Sequence, residues 1–342
     1  MKKYNNFNDL SEKDQNICRH LYVQIDTLYK TAINKGIIGK STGFRYRDGM
    51  HEFSKLLVEC YHKTNLNYIE PKHIYAFAEQ AWESGYSKSN IFTTLSAIRD
   101  FYDRIRGDGS SLYLPTNEML KVELEEIGFS SRNNIDRIGN QRAWTENEVQ
   151  KMKEKAMEQG HENYADLIDL SWTYGTRIHE SVRLNAEQLI EAKKADKLIV
   201  KGKGGLIRGI SIRNKKQKEI IEKLLCKCNK GKIFVAEGEK AHELIKKVQH
   251  FIYNHRADVQ EKIEAWRIFD QYCIKAGVGK IDGYYKSIER GDLTAHGLRH
   301  TWALIYYLEL IAAGVDDIAA KKIVSKELGH YRLEVTRIYL KV

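Results

Sequence analysis

Proline is nearly missing from this chain: Pro71 and Pro115 are the only two in 342 residues. Proline removes a donor and clashes with the preceding turn inside a helix, so its scarcity leaves long helices unbroken and predicts a mainly α chain. Cysteine is also sparse. Cys18, Cys60, Cys226, Cys228 and Cys273 are too few and too irregular for a disulfide framework, and Cys226-x-Cys228 lacks the companion pair of a zinc site. There is no long apolar run. The longest, near Ala303 to Val315, is interrupted by Glu309 and is too short to span a bilayer. Lys2 and Lys3 are followed by Tyr, Asn and Asp rather than an apolar stretch, so no secretory leader is expected. These absences predict a soluble protein in a reducing cytoplasm. No internal repeat or low-complexity tract is present.

Positive charge is in surplus. The formal net charge is +10 and the pI about 9.1. Such a balance suits a polyanionic partner, nucleic acid or a membrane surface, with plain solubility as the alternative. The length is enough for two domains, each with its own core.

Along the chain, residues 1–40 read as an extension with one helix, from Ser11 to about Asn34. Residues 41–128 read as a helical domain. Thr42 is a candidate cap for a helix carrying Phe53, Leu56, Leu57 and Tyr61. Pro71 suits a helix start, where its missing N–H costs nothing. Ser87 or Ser89 opens a helix with Phe92, Leu95, Ile98, Phe101 and Ile105 at helical spacing. Its other face offers Arg99, Arg104 and Arg106, either a solvated face or phosphate contacts. Residues 129–143 lose periodicity and carry Arg132, Arg137 and Arg142, as a basic linker would. A second domain, 144–342, opens with Thr145 and Glu148 in capping-box spacing. An apolar helix ends near Tyr174-Gly175, and another begins at Arg177. Leu198 to Lys201 and Leu206 to Ile212 flank Gly202-Lys203-Gly204-Gly205, a hairpin pattern. Helices are expected at Lys216 to Cys226, His242 to Tyr253 and Gln260 to Ala276, then a loop from Gly277 to Gly291.

Several residues carry chemistry. Thr294 suits an N-cap, which places His296 and Arg299 on one face of a first turn, where backbone N–H groups favour an anion. A surface His and Arg is the plainer reading. His296 and His300 are four apart, as zinc ligands can be, but Gly297 stands where H-E-x-x-H needs its glutamate, so no metal is expected. Glu180, three residues after Arg177, is placed to hold that guanidinium or to form an ordinary surface pair. Lys203 is a proton donor at a hairpin tip or simply a turn lysine. Leu328-Gly329-His330 ends a helix with glycine at the C-cap. Tyr339 follows nine residues later, one of 20 tyrosines. A phenol with a pKa near ~10 attacks only with a base beside it and a polarised target.

The order of these pieces is more specific than any of them: Gly175-x-Arg177-x-x-Glu180, hairpin Lys203, His296-x-x-Arg299-His300, Leu328-Gly329-His330, then Tyr339. In this the chain resembles the tyrosine site-specific recombinases, the phage-integrase family, from Ser41 to Leu340. The resemblance implies a helical core-binding domain joined to a mixed α/β catalytic domain, closing on double-stranded DNA as a tetramer at specific sites. It implies Tyr339 as nucleophile in a 3′-phosphotyrosyl linkage and Arg177 and Arg299 as the phosphate clamp. Lys203 would be the leaving-group acid, His296 the base and His330 a phosphate donor, with no metal, ATP or other cofactor. Integration or excision of a mobile element is the expected use, with a DNA-bending or directionality factor as a possible partner, on the nucleoid. A type IB topoisomerase-like enzyme and a non-cutting DNA-binding protein on the same fold are the alternatives. Tyr174 stands where Thr is common, and Thr176 where an aliphatic residue is common. Three residues follow Tyr339, so protomers are expected to interlock through its own helix or another surface. The first forty residues are too short for a separate arm-binding domain.

Overall fold

Apolar residues at helical spacing decide where the chain packs, and they form two separate cores. The structure, a computed structural model, describes residues 7–67, 69–105, 114–125, 140–202, 205–228, 230–279, 288–330 and 333–340. The chain divides into two compact units, Met1–Arg132 and Asn133–Val342.

The first unit is helical. Ser11 caps α1 (Glu12–Asn34) by accepting from the Asp14 N–H, and Cys18, Leu21, Ile25, Tyr29 and Ala32 form its buried stripe. This helix shares its core with α2 (Lys40–Tyr61), α3 (Pro71–Glu83) and α4 (Lys88–Asp100). Thr42 is not the cap of α2: the helix starts earlier, behind Gly39, whose backbone alone serves as N-cap. Gly43 then lies against Ile33 of α1, where an added Cβ would come within 2.6 Å of that side chain. Ser87 caps α4, which widens into a π turn at Phe101–Ile105. The buried Tyr102 hydroxyl there donates to Leu66 O. A short α5 (Asn117–Glu123) follows Thr116.

The second unit begins with the expected capping box. Thr145 accepts from the Glu148 N–H and Glu148 accepts from the Thr145 N–H at the start of α6 (Glu146–Glu158). The same fully buried carboxylate accepts from both Arg290 and the Glu261 N–H. It therefore ties α6 to two distant segments. Then come α7 (Glu162–Tyr174), a single turn α8 (Ile178–Ser181), α9 (Ala186–Ala195) and a two-stranded antiparallel sheet, β1 (Lys197–Lys201) with β2 (Ile207–Ser211). Four longer helices lead towards the end: α10 (Lys215–Lys227), α11 (Ala241–Val259), α12 (Ala265–Ala276) and α13 (Ala295–Ala312). Last are α14 (Asp317–Leu328) and α15 (Leu333–Leu340).

The helix expected from Gln260 starts only at Ala265. Residues 260–264 are instead a bridge, with the Gln260 amide donating to Gly291 O and accepting from the Leu293 N–H. Helix α9 was not foreseen, although Asn185 and Gln188 form its capping box. Among the described residues no helix is long and apolar enough to cross a membrane.

Removing one partner of a buried charge pair strands the other. Glu148→Ala is therefore expected to lower stability by about 3–5 kcal/mol, read from the urea unfolding midpoint.

Candidate active site

The site is built on the C-terminus of α7. Gly175 ends that helix in the left-handed region, φ +60°, and an added Cβ would lie 2.4 Å from the Trp302 indole of α13. The close approach turns the Gly175 carbonyl towards two guanidiniums, accepting from Arg299 Nη1 at 2.6 Å and Arg208 Nη2 at 3.5 Å. Tyr174, the departure from the family pattern, is buried and donates its hydroxyl to Gln217 O at 2.7 Å, fastening α7 to α10.

Arg177 is the N-cap of α8. Its backbone N–H donates to Glu180 Oε2 at 2.8 Å and its Nη1 to Oε1 at 3.0 Å. The expected Arg177–Glu180 contact is therefore present, but it is not a solvated surface pair, because the Glu180 side chain is 0% exposed. Arg208 of β2 donates to Oε2 at 2.7 Å, and Arg299 Nη1 stands 3.8 Å from the same oxygen. Burial alone would raise the Glu180 pKa. Arg208, Arg299 and the Arg177 N–H outweigh it and bring it down to about 2. Burial, then Arg208 and Arg177, pull the Arg299 guanidinium down to about 9, which leaves it charged at neutral pH. Three guanidiniums thus face one carboxylate, an excess that draws an anion.

The same arginines cap α14. Arg208 Nη1 donates to Glu327 O and Arg299 Nη2 to Leu328 O, two of the carbonyls a helix C-terminus leaves unpaired. Gly329, φ +68°, then releases the chain towards His330 and α15.

Tyr339 lies in the middle of this cluster. Its hydroxyl is 2.8 Å from His296 Nε2. Its ring stacks on His300 with centroids 4.1 Å apart and planes 10° from parallel, and the His330 ring is 4.5 Å away. The Arg299 guanidinium carbon is 5.8 Å from the ring centroid. Burial, helped by Arg299 and Arg177, lowers the His296 pKa to about 4 and that of His330 to about 3. Both imidazoles are neutral at pH 7. In its Nδ1–H tautomer, His296 offers Nε2 as the acceptor for the Tyr339 proton.

Two packing contacts hold the histidine end. Thr294 caps α13 as expected, accepting from the Gly297 N–H. An added Cβ at Gly297 would sit 2.3 Å from Arg142 O, so the helix start is pressed against residues 142–144. Arg142 itself is exposed, and its charge reaches His296.

The hairpin also reaches the site. An added Cβ on Gly202 would be 3.0 Å from Glu180 Oε1. Lys203, the side chain of Arg104, and Arg106, Arg132 and Arg137 lie outside the described residues. Arg99, read as either a solvated or a phosphate-contacting residue, is partly buried. It is turned inward, donating to Pro115 O and Asn117 Oδ1, and fastens the residues before α5.

Sequence reasoning missed Arg208 and gave His300 a place in the His296-x-x-Arg299-His300 motif and a zinc-like spacing, but no role at the site. A signal for Arg208 existed: it shares strand phase with Ile210 and Ile212, and an inward arginine needs an anionic partner.

Two family models match this chain. Residues 142–342 match the phage integrase family, and residues 31–106 match the phage integrase N-terminal SAM-like domain. The chain therefore belongs to the phage integrase family of tyrosine recombinases. Among curated relatives, the tyrosine recombinase XerC of Thermodesulfovibrio yellowstonii is 24% identical over 297 residues, covering 87% of this chain and 84% of that protein. Among solved structures, a lambda integrase tetramer bound to a Holliday junction is 16% identical, with TM-score 0.56 over 92% of this chain and 75% of that one. The Tn1549 transposon integrase in complex with transposon right-end DNA is 14% identical, with TM-score 0.51 over 92% and 94%. These neighbours share the two-part fold, a helical SAM-like domain followed by a catalytic domain.

Two outcomes are expected. Gly175→Ala combines a strained φ with a clash on Trp302 and should cost about 2–4 kcal/mol, measured by urea unfolding. His296 and His330 have folded pKa values below the ordinary 6.5, so the unfolded chain binds more protons than the folded one. The stability they contribute is present above pH 6.5 and is lost as pH falls towards 4 and 3. The unfolding midpoint should drop between pH 7 and 4, and less steeply in His296→Gln.

Proposed function

We propose that this chain cuts and rejoins duplex DNA at specific sites through Tyr339. The observation that carries the reading is the Tyr339 hydroxyl on a neutral His296 inside a cluster of arginines. As Tyr339 Oη attacks the scissile phosphorus, its proton passes to His296 Nε2. The bond from phosphorus to the 5′ oxygen breaks, and a 3′-phosphotyrosyl linkage remains. Lys203 is our candidate to protonate the departing 5′ oxygen. Arg177 and Arg299 are already held by Glu180, the Gly175 carbonyl and the end of α14. Their remaining N–H groups would meet the non-bridging oxygens, where negative charge grows. His330, neutral and beside Tyr339, would add a hydrogen bond to the phosphate. Because the phosphotyrosyl ester conserves the bond, a 5′ hydroxyl can reverse the step without ATP.

Most of the affinity would come from phosphate contacts and fall steeply with salt. Arg142, exposed beside the site, is the described basic residue we favour as a DNA contact. Integration or excision of a mobile element, by a tetramer on two duplexes, is the use we favour. The transposon integrase and the integrase tetramer among the neighbours support it. A nicking-closing enzyme of the topoisomerase kind would share the chemistry but act as a monomer with little site preference.

The test is covalent trapping. Wild type and Tyr339→Phe are incubated with fragmented host DNA, denatured, and the linked fragments sequenced. Adducts at a few sites, absent from Tyr339→Phe, are expected. Adducts everywhere would favour the topoisomerase-like activity, and site-selective binding without adducts a non-cutting protein. Arg177→Ala and Arg299→Ala should each slow adduct formation by ~10²–10³-fold.

A further inference from the structure

Arg208 is the buried cation of the cluster to which the cleavage step gives no role. Its side chain is 2% exposed, yet it lies on a two-stranded sheet in which the neighbouring Ile207 is 64% exposed. Its guanidinium serves three separate elements. One nitrogen donates to the Glu180 carboxylate of α8 and approaches the Gly175 carbonyl after α7, and the other donates to Glu327 O at the end of α14. Around it the fit is close: an added Cβ on Gly329 would come within 3.0 Å of Arg208 Cδ. Ser211 of the same strand donates to Glu327 Oε1 at 2.7 Å, so β2 meets the end of α14 twice.

We propose, resting on the strand-cleavage reading above, that Arg208 is a positioning residue for that reaction. It locks Glu180 and the last turn of α14 together, so that Arg177 and Arg299 present their free N–H groups to the phosphate. Its side chain is 2% exposed and its two terminal nitrogens donate to protein groups, so it acts through other residues and not on the substrate. Glu180 shares one carboxylate oxygen between Arg208 and, at longer range, Arg299, while its other oxygen holds Arg177. Without Arg208 the carboxylate keeps its burial but loses its nearest cation. It then takes up a proton at a pH where the wild type stays ionised, and a neutral carboxyl grips Arg177 less firmly. The charged and titratable groups facing Glu180 are Arg177 and His179 on its own turn, Arg208 from β2, and Arg299 and His296 from α13.

The experiment is single-turnover adduct formation on the trapped DNA site from pH 5 to 9. It compares wild type, Arg208→Met, Arg208→Lys, Glu180→Gln and the Arg208→Met/Glu180→Gln double variant, with DNA affinity measured in parallel. Arg208→Met should slow adduct formation ~10–10²-fold, as losing a group behind a charged site does, with DNA affinity nearly unchanged. Its rate should fall further towards acid pH, where the wild type shows no such fall from this group. Arg208→Lys should recover part of the rate and lose the extra acid dependence, and the double variant should lose that dependence too. A wild-type rate and pH profile in Arg208→Met would overturn the proposal. So would an equal loss at every pH with the lysine variant no better than the methionine one. Should Arg208→Met not fold, Arg208→Lys decides: a slower rate at unchanged affinity supports the role, and a wild-type rate removes it. Absence of any adduct in wild type would instead refute the cleavage reading, and this role with it.

Discussion

One buried carboxylate gathers the positive charge of this molecule into a usable place. Glu180 is fully enclosed, and burying a lone anion is costly unless cations and hydrogen bonds meet it. Here a backbone N–H and guanidiniums from α8 and β2 bond to it directly, and Arg299 of α13 stands close by. The arrangement is asymmetric. One negative charge holds the arginines in register without cancelling them, so the site keeps a surplus that favours a phosphate. Without Glu180 the guanidiniums would repel one another in a dry interior.

The rest of the catalytic unit extends this constraint outward. Gly175 lets α7 settle on Trp302, which brings its carbonyl to the same arginines. The exposed carbonyls at the end of α14 take up the other sides of Arg208 and Arg299. The cap of α14 is therefore also the support of the charge cluster, and the chain leaving that cap carries His330 and Tyr339. Burial and neighbouring cations keep His296 and His330 beside Tyr339 neutral. The tyrosine hydroxyl thus meets an acceptor beside the positive charge that an attacking phenolate would need.

Much of this was legible in the sequence where local rules act alone. Ser11, Ser87, Thr145 and Thr294 cap the helices that their positions announced. The Arg177–Glu180 spacing and the order ending in Tyr339 pointed to groups that the fold brings together. What was missed depends on distant partners. Arg208 reads as an ordinary strand cation until Glu180, 28 residues away, is known to face it. Arg99 reads as a free basic residue until the backbone around Pro115 is folded back onto it. The Gln260 to Glu264 segment has helical residues but is pulled straight by Glu148, Thr145 and Gly291. His300 resembled half of a metal pair because its neighbour in space, Tyr339, lies in another helix.

In the cleavage step proposed for Tyr339, Glu180 would hold Arg177 and Arg299 so that both face a phosphate in line with the tyrosine hydroxyl. The most direct measurement is a crystal structure of the protein with orthovanadate and nicked DNA carrying its cleavage site. Vanadium is expected between Tyr339 Oη and the 5′ oxygen. Arg177 and Arg299 should touch its equatorial oxygens while Glu180 keeps its bonds to Arg177 and Arg208. Vanadate bound away from Tyr339, or an Arg299 that leaves Gly175 and Leu328 to reach it, would contradict the account.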